Sequence, residues 1–181
     1  MKIQVIGASG VGKSTLCRYI SKRTGICWID TDRYLWKDAD FTENYPVRER
    51  LEMYRKDRNS HDGYIVSGSV HTWNPQGFQD RELLVLLLLD ETIRMQRLYQ
   101  REFENFGARM LPGGDHEQIT RDFLSWSKTY LTADENSVCS LACHKRLLRE
   151  AKCRTLELNA NKPVDVLCKL VLREYRSIPP R

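Results

Sequence analysis

Residues 2–15 read KIQVIGASGVGKST, a short β-rich run that passes directly into glycine. The run KIQVIGA predicts a first strand. From Ser14 to Thr24 the apolar residues Leu16, Tyr19 and Ile20 recur at helical spacing, and Gly25 is placed to end that helix. Between strand and helix, Gly7, Ala8, Ser9, Gly10, Val11, Gly12, Lys13 and Ser14 satisfy the pattern GxxxxGK followed by Ser or Thr, and Thr15 continues it. Glycines at these positions let the backbone bend tightly and turn its N–H groups inward. The helix behind them adds its positive end. Such a loop binds phosphate: Lys13 would reach the β- and γ-phosphates of a nucleotide, and Ser14 would ligate Mg²⁺ through its hydroxyl.

The chain around this loop alternates strands and helices. ICWID (26–30) predicts a second strand, and the irregular segment TDRYLWKDADFTENYP follows it. Pro46 opens a helix, YIVSGSV predicts a third strand, and ELLVLLLLD predicts a fourth, apolar throughout. A continuously apolar strand is one buried on both faces, as in a parallel sheet covered by helices. ETIRMQRLYQREFENF reads as helix, GARMLPGGD as a Gly/Pro loop, and helices follow near EQITRDFLSWSKTYL and SLACHKRLLREA. CRTLELN predicts strand five, PVDVLCKLVLREY a last helix, and RSIPPR a loose tail. The expected architecture is a single α/β domain over residues 1–181 with a five-stranded parallel sheet. Ligands of such sheets bind at the carboxyl ends of the strands.

Composition narrows the setting. Hydrophobic residues make up 41% and charged residues 29% of the 181, a globular balance. The longest apolar run, Leu83 to Leu89, falls far short of the roughly 20 residues of a membrane helix, and no signal peptide is legible, so a cytoplasmic protein is expected. The six cysteines form no CxxC pair and are expected to be reduced and mostly buried. The net charge of +5 suits anionic ligands and is too modest to argue for nucleic acid by itself.

A phosphate loop that transfers its phosphate needs acidic partners. Asp30 and Asp32 lie at the end of strand two, where alternate residues point the same way, so both carboxylates could face the γ-phosphate. Asp30 is assigned to the metal side and Asp32 to the hydroxyl proton, although the spacing leaves the two roles interchangeable. Asp90 closes the apolar fourth strand but directly precedes a helix, and reads better as its N-cap.

Together with the phosphate loop, WIDTD, RLYQR and the Gly/Arg loop resemble the P-loop small-molecule kinases, which include adenylate and shikimate kinases. IDTDRYLW, VSGSVHTW, RLYQREFENFGARMLPGGD and SLACHKRLL resemble, more closely, the bacterial adenylate-kinase-like proteins described as topology-modulation or FlaR-related. The resemblance implies a P-loop three-layer sandwich with a helical, Gly-rich lid over 101–122 and an acceptor-side segment over 32–50. It implies that Arg97 and Arg101 of RLYQR, with Arg109 of the lid, cover the transferring phosphoryl group. It places NANKP, with Asn159, where this fold cradles adenine. Adenylate kinases carry Asp-Gly at the end of strand three; here the pair is Ser67-Gly68, which shifts weight onto Asp30 and Asp32. The lid lacks the cysteine cluster of zinc-bearing relatives, so no lid metal is expected.

The acceptor would sit between the ends of strands two and three. Asp32, Tyr34, Trp36, Arg48, Ser69 and Trp73 are its candidate contacts, the aromatics for stacking and Arg48 for an anionic group. The expected activity is ATP- and Mg²⁺-dependent phosphoryl transfer to a nucleoside, nucleotide or other small metabolite, by a monomer or homodimer. The competing expectation is a nucleotide-dependent regulatory protein associated with nucleic acid. A GTPase switch fits poorly, because NKPVD places its aspartate one residue too far for NKxD.

Overall fold

A computed structural model of the chain describes residues 1–179. Its sheet holds five parallel strands in the order β2 (Trp28–Asp30), β3 (Tyr64–Ser67), β1 (Lys2–Ile6), β4 (Leu83–Leu88), β5 (Arg154–Asn159). The helices are α1 (Lys13–Thr24), α2 (Val47–Ser60), α3 (Glu91–Phe106), α4 (Glu117–Lys128), α5 (Leu141–Glu150) and α6 (Val164–Arg176). This is the three-layer α/β sandwich expected from the sequence.

β1 is the central strand, and Ile3 pairs with Ile65 on one side and Leu83 on the other. From β1 the chain travels to the β2 edge, and from β3 it crosses back to β4. The connections therefore diverge where β1 and β3 end, and a crevice opens there. Alternation explains both layers. Ile3, Val5, Leu83, Val85 and Leu87 face Leu16 and Ile20 of α1 and Leu167 and Val171 of α6. Ile6, Leu84 and Leu86 face Leu147 and Leu148 of α5. β4 is thus buried on both faces, as its unbroken apolar sequence requires. Ile29, Tyr64, Val66 and Phe78 form a third cluster, capped by Met53 and Tyr54 of α2.

The regular elements follow their local signals. Gly25 takes φ +73 and closes α1 through its N–H to the Ser21 carbonyl. Pro46 and Pro163 stand at the N-caps of α2 and α6. The Asp90 carboxylate accepts the N–H groups of Thr92 and Ile93, so it caps α3. The expected tail begins later than its sequence suggests, because α6 runs to Arg176 and Ile178 packs on the main core. Pro180 and Arg181 of that tail lie outside the described residues. No helix among the described residues is long and apolar enough to cross a membrane.

β3 ends at a crowded point. Ser67 Oγ accepts the Trp28 indole N–H at 3.0 Å, and Thr31 Oγ1 donates to the Ser67 carbonyl at 3.1 Å. Gly68 has φ +103, and a Cβ there would lie 2.0 Å from Thr31 Oγ1. Gly68→Ala therefore combines backbone strain with a clash. A destabilisation of about 1–3 kcal/mol follows, read as a fall in Tm of roughly 3–10 °C for a chain of this size; an unchanged Tm by calorimetry would show that the β2–β3 corner relaxes freely.

Candidate active site

The phosphate loop leaves the centre of the sheet at its carboxyl edge. Gly7 passes so close to β4 that a Cβ would lie 2.6 Å from the Leu87 carbonyl oxygen. Gly12, with φ +98, is the N-cap of α1 and offers no side-chain cap. The first N–H groups of α1 are consequently left for a ligand. Lys13 Nζ donates to the Ala8 carbonyl at 2.9 Å, folding its cation back across the loop. Half-buried Ser14 follows it in the first turn.

Both aspartates of DTD stand beside this loop, though not by strand alternation. β2 stops at Asp30, and Thr31–Tyr34 form a 3₁₀ turn that Asp30 caps by accepting the Asp32 N–H at 3.3 Å. That turn carries Asp32 into the cleft. The Asp32 side chain reaches solvent, yet the protein packed around the cleft raises its carboxyl above the ordinary value; Lys13 and Arg101 pull it down and Asp30 pushes it up. The three charges named there are the ones the sequence proposed for phosphoryl transfer.

The arginines divide by position. Arg101 donates to Glu102 at 3.0 and 2.7 Å, lies 5.8 Å from the Phe123 ring, and remains within the field of Asp32. Arg97 Nη1 donates to the Ala160 carbonyl at 3.4 Å, so it stands at the turn after β5. Asn159 begins that turn by accepting the Asn161 N–H at 2.9 Å. Arg109 is paired: its Nη1 and Nη2 donate to Asp40 at 3.1 and 3.0 Å and its Nε to Asp115 at 3.0 Å. In return Arg109 holds the Asp40 and Asp115 carboxyls below their ordinary range. The segment 101–122 begins inside α3 and ends inside α4, with residues 107–116 connecting the two helices.

Several acceptor candidates belong elsewhere. Arg48 is 89% exposed and pairs with Glu52 one turn along α2, which is the ordinary place for a long cation on a polar helix face. Tyr34 is fully buried; its hydroxyl donates to Asp57, and burial pushes its ionisation well up. Trp73 meets Tyr34 edge-to-face at 5.8 Å and joins the same core cluster. Apolar area outweighed the hydroxyl and indole handles at both positions. Trp36 packs edge-to-face on Phe41 at 5.6 Å and bridges Asn44 in a small hairpin. Ser69 keeps its place after β3, its Oγ 3.0 Å from His71 Nδ1.

The wall opposite the loop was not legible in the sequence. It is the start of α5 and the residues before it. Cys139 lines a small cavity with Ala8 and Ser9 of the loop. His71 Nε2 lies 3.4 Å from Cys143 Sγ, and Arg146 adjoins both. His144 is buried, 3.0 Å from the Tyr130 hydroxyl; burial, then Lys13 and His71, pull it down to about 3, so it is a neutral imidazole. Cys139, Cys143 and His144 are close in sequence, but nothing there marks His71 as their neighbour, because α5 packs over the sheet from a distance of some 70 residues in sequence. Among the described residues no three His, Cys, Asp or Glu side chains form a metal-binding group. Ser14 and Asp30 beside a phosphate cradle supply hard oxygen donors, the type Mg²⁺ takes when phosphate and water complete its shell.

The chain matches the family model described as "AAA domain" over residues 3–118. It is 35% identical over 167 residues to the Bacillus subtilis (strain 168) protein titled "Uncharacterized protein YqaC", covering 90% of this chain and 93% of that one. Among solved structures it is similar to a shikimate kinase from Acinetobacter baumannii in complex with shikimate (TM-score 0.60, 16% identity, 99% and 95% of the two chains). It is also similar to a sugar kinase from Janibacter sp. HTCC2649 (0.55, 15%, 99% and 95%). A third is the deoxyadenosine kinase of M. mycoides (0.52, 15%, 98% and 100%). At these identities the structural likeness establishes the fold. The chain belongs to the AAA-domain family, and its fold is that of the P-loop small-molecule kinases.

Proposed function

We propose that this protein is an ATP-dependent phosphotransferase that phosphorylates a hydroxyl of a small metabolite, nucleosides and nucleotides included. The observation that carries the reading is Asp32: a carboxylate set in the same cleft as Lys13 and Arg101, at the mouth of the phosphate loop. A loop that only stored nucleotide would have no use for a base there. The fold supports the reading, since it is shared with proteins titled shikimate kinase, sugar kinase and deoxyadenosine kinase.

In this reading the loop amides and the start of α1 bind the β- and γ-phosphates, and Lys13 swings from the Ala8 carbonyl to the γ-phosphate oxygens. Ser14 and Asp30 hold Mg²⁺, which neutralises phosphate charge when bound. Arg97 adjoins the turn of Asn159 and Ala160 and faces the nucleoside end, while Arg101 stabilises charge on the phosphoryl group. Asp32 accepts the proton of the attacking hydroxyl. The acceptor rests against Ser69, His71 and the start of α5. Arg146 there suits an acceptor with a carboxylate or phosphate of its own. Asp40 and Arg109 join the lid connection to the acceptor-side segment, so the two would move together.

Two measurements test this. With Mg-ATP and a panel of nucleosides, nucleotides, sugars and hydroxy acids, Lys13→Ala removes phosphoryl transfer, and Asp32→Asn slows it about 10²–10⁴-fold while leaving nucleotide affinity within a few-fold. Unchanged turnover in Asp32→Asn would remove Asp32 as the base.

The second measurement is the pH dependence of stability. A carboxyl raised on folding binds its proton more tightly in the native state, so its contribution is present at low pH and lost as pH rises through the native value. Asp32→Asn accordingly raises the apo-protein Tm at pH 7, and the gain disappears near pH 3, below the ordinary aspartate value of about 3.9. A variant less stable than wild type at pH 7 would contradict the crowding of the cleft. For turnover, the sign places the acidic limb above the ordinary carboxylate range.

A further inference from the structure

Arg94 stands one turn before Arg97 on α3, but it faces inward. It is 1% exposed and heads the fully buried side chains by volume among the described residues. Its Nη1 donates to the Ser9 carbonyl of the phosphate loop at 2.9 Å. Its Nη2 donates to the Ser127 carbonyl near the end of α4 at 2.7 Å. Nε and Nη2 form a fork to the Glu91 carboxylate, with Nε at 2.9 Å from Oε2, and the guanidinium lies 5.5 Å from the Tyr130 ring centroid. One planar cation thus joins the loop, α3 and the end of the helix that follows the lid connection. Burying a guanidinium is costly, and an apolar side chain would fill the same space without that cost. What an apolar side chain cannot do is hold two carbonyls from two elements at fixed angles.

The Ser9 carbonyl and the Gly10 N–H belong to one trans peptide, so they point in opposite directions. Arg94 draws the carbonyl outward toward α3, and the Gly10 N–H is thereby turned to the other side of the loop. Gly10 suits this place: its φ is +80, a conformation that L side chains rarely adopt, and a Cβ would sit tightly at 3.1 Å from the Arg94 carbonyl oxygen and 3.2 Å from Leu98 Cβ. We infer that Arg94 is a positioning residue. It orients the Ser9–Gly10 peptide for a nucleotide phosphate and mechanically joins that peptide to the end of α4, so that nucleotide binding is felt there. This inference rests on the phosphotransferase reading, because it requires nucleotide at the loop.

The test uses the full chain as wild type and as Arg94→Lys, which keeps the charge and loses the fork. Mg-ADP and a non-hydrolysable ATP analogue are titrated by calorimetry, and amide hydrogen exchange is followed over residues 7–14 and 124–131. In wild type, saturating analogue slows exchange in both segments. In Arg94→Lys the apo Tm stays within a few degrees, analogue affinity falls at least ten-fold, and protection persists at 7–14 but is lost at 124–131. A variant with lowered Tm but wild-type affinity and wild-type protection at both segments makes Arg94 a brace only and overturns the inference alone. A wild type that binds neither nucleotide overturns the phosphotransferase reading, and the inference with it. If Arg94→Lys does not fold, wild type still decides: absence of analogue-dependent protection at 124–131 overturns the coupling.

Discussion

The constraint on which the site depends is the passage of Gly7 beneath β4, where a Cβ would lie 2.6 Å from the Leu87 carbonyl oxygen. That approach fixes where the chain leaves β1, and β1 is the middle strand. The loop amides therefore open at the centre of the sheet edge, where the ends of β2 and β3 and the start of α5 can all reach them. A phosphate cradle on an edge strand would have had neighbours on one side only. The central position admits an acid from β2, cations from α3 and a wall from α5 around a single point.

The sheet and the loop were legible because their signals are local and redundant. The apolar run of β4, the glycines of the phosphate loop, Gly25 and the helix-capping Asp90 each determine their own surroundings within a few residues. The acceptor side was not legible for the opposite reason. Residues 35–45 are organised by Asp38, whose carboxylate accepts from the Thr42 hydroxyl and from the N–H groups of Thr42 and Glu43, and by the Lys37–Glu43 and Leu35–Tyr45 backbone bonds. Such side-chain-to-backbone turns leave no hydrophobic period to read. Aromatic residues there look the same in sequence whether they face a ligand or the core. Tyr34 and Trp73 went to the core because β2 and β3 are short and need cover.

The same limit explains the arginines. RLYQR marks Arg97 and Arg101 by spacing alone, yet Arg94 on the same helix carries more of the architecture. Arg94 and Arg97 lie three positions apart, yet one is turned into the protein and the other is exposed. Arg109 shows the complementary case. The α3–α4 connection presents an arginine, but Asp40 and Asp115 neutralise it in this conformation. An arginine so occupied meets an incoming anion only by exchanging those partners, which ties its availability to the residues 35–45 that hold Asp40.

Asp32 joins these points. An acid placed on a strand would have been fixed by the pleat; on a 3₁₀ turn capped by Asp30 it sits one step beyond the sheet, closer to the cleft and to the Lys13 and Arg101 fields. The crowding that raises its carboxyl disfavours the ionised form, and the two cations restore part of it. In the proposed phosphotransfer those cations are also the groups that meet the phosphate. When a nucleotide draws Lys13 and Arg101 toward its own negative charge, Asp32 loses part of their compensation while the same burial remains. Its affinity for a proton then rises further. A carboxylate in that state is a stronger base with a hydroxyl beside it than it is in the empty cleft, so the arrangement makes the acid more reactive at the moment both substrates are present.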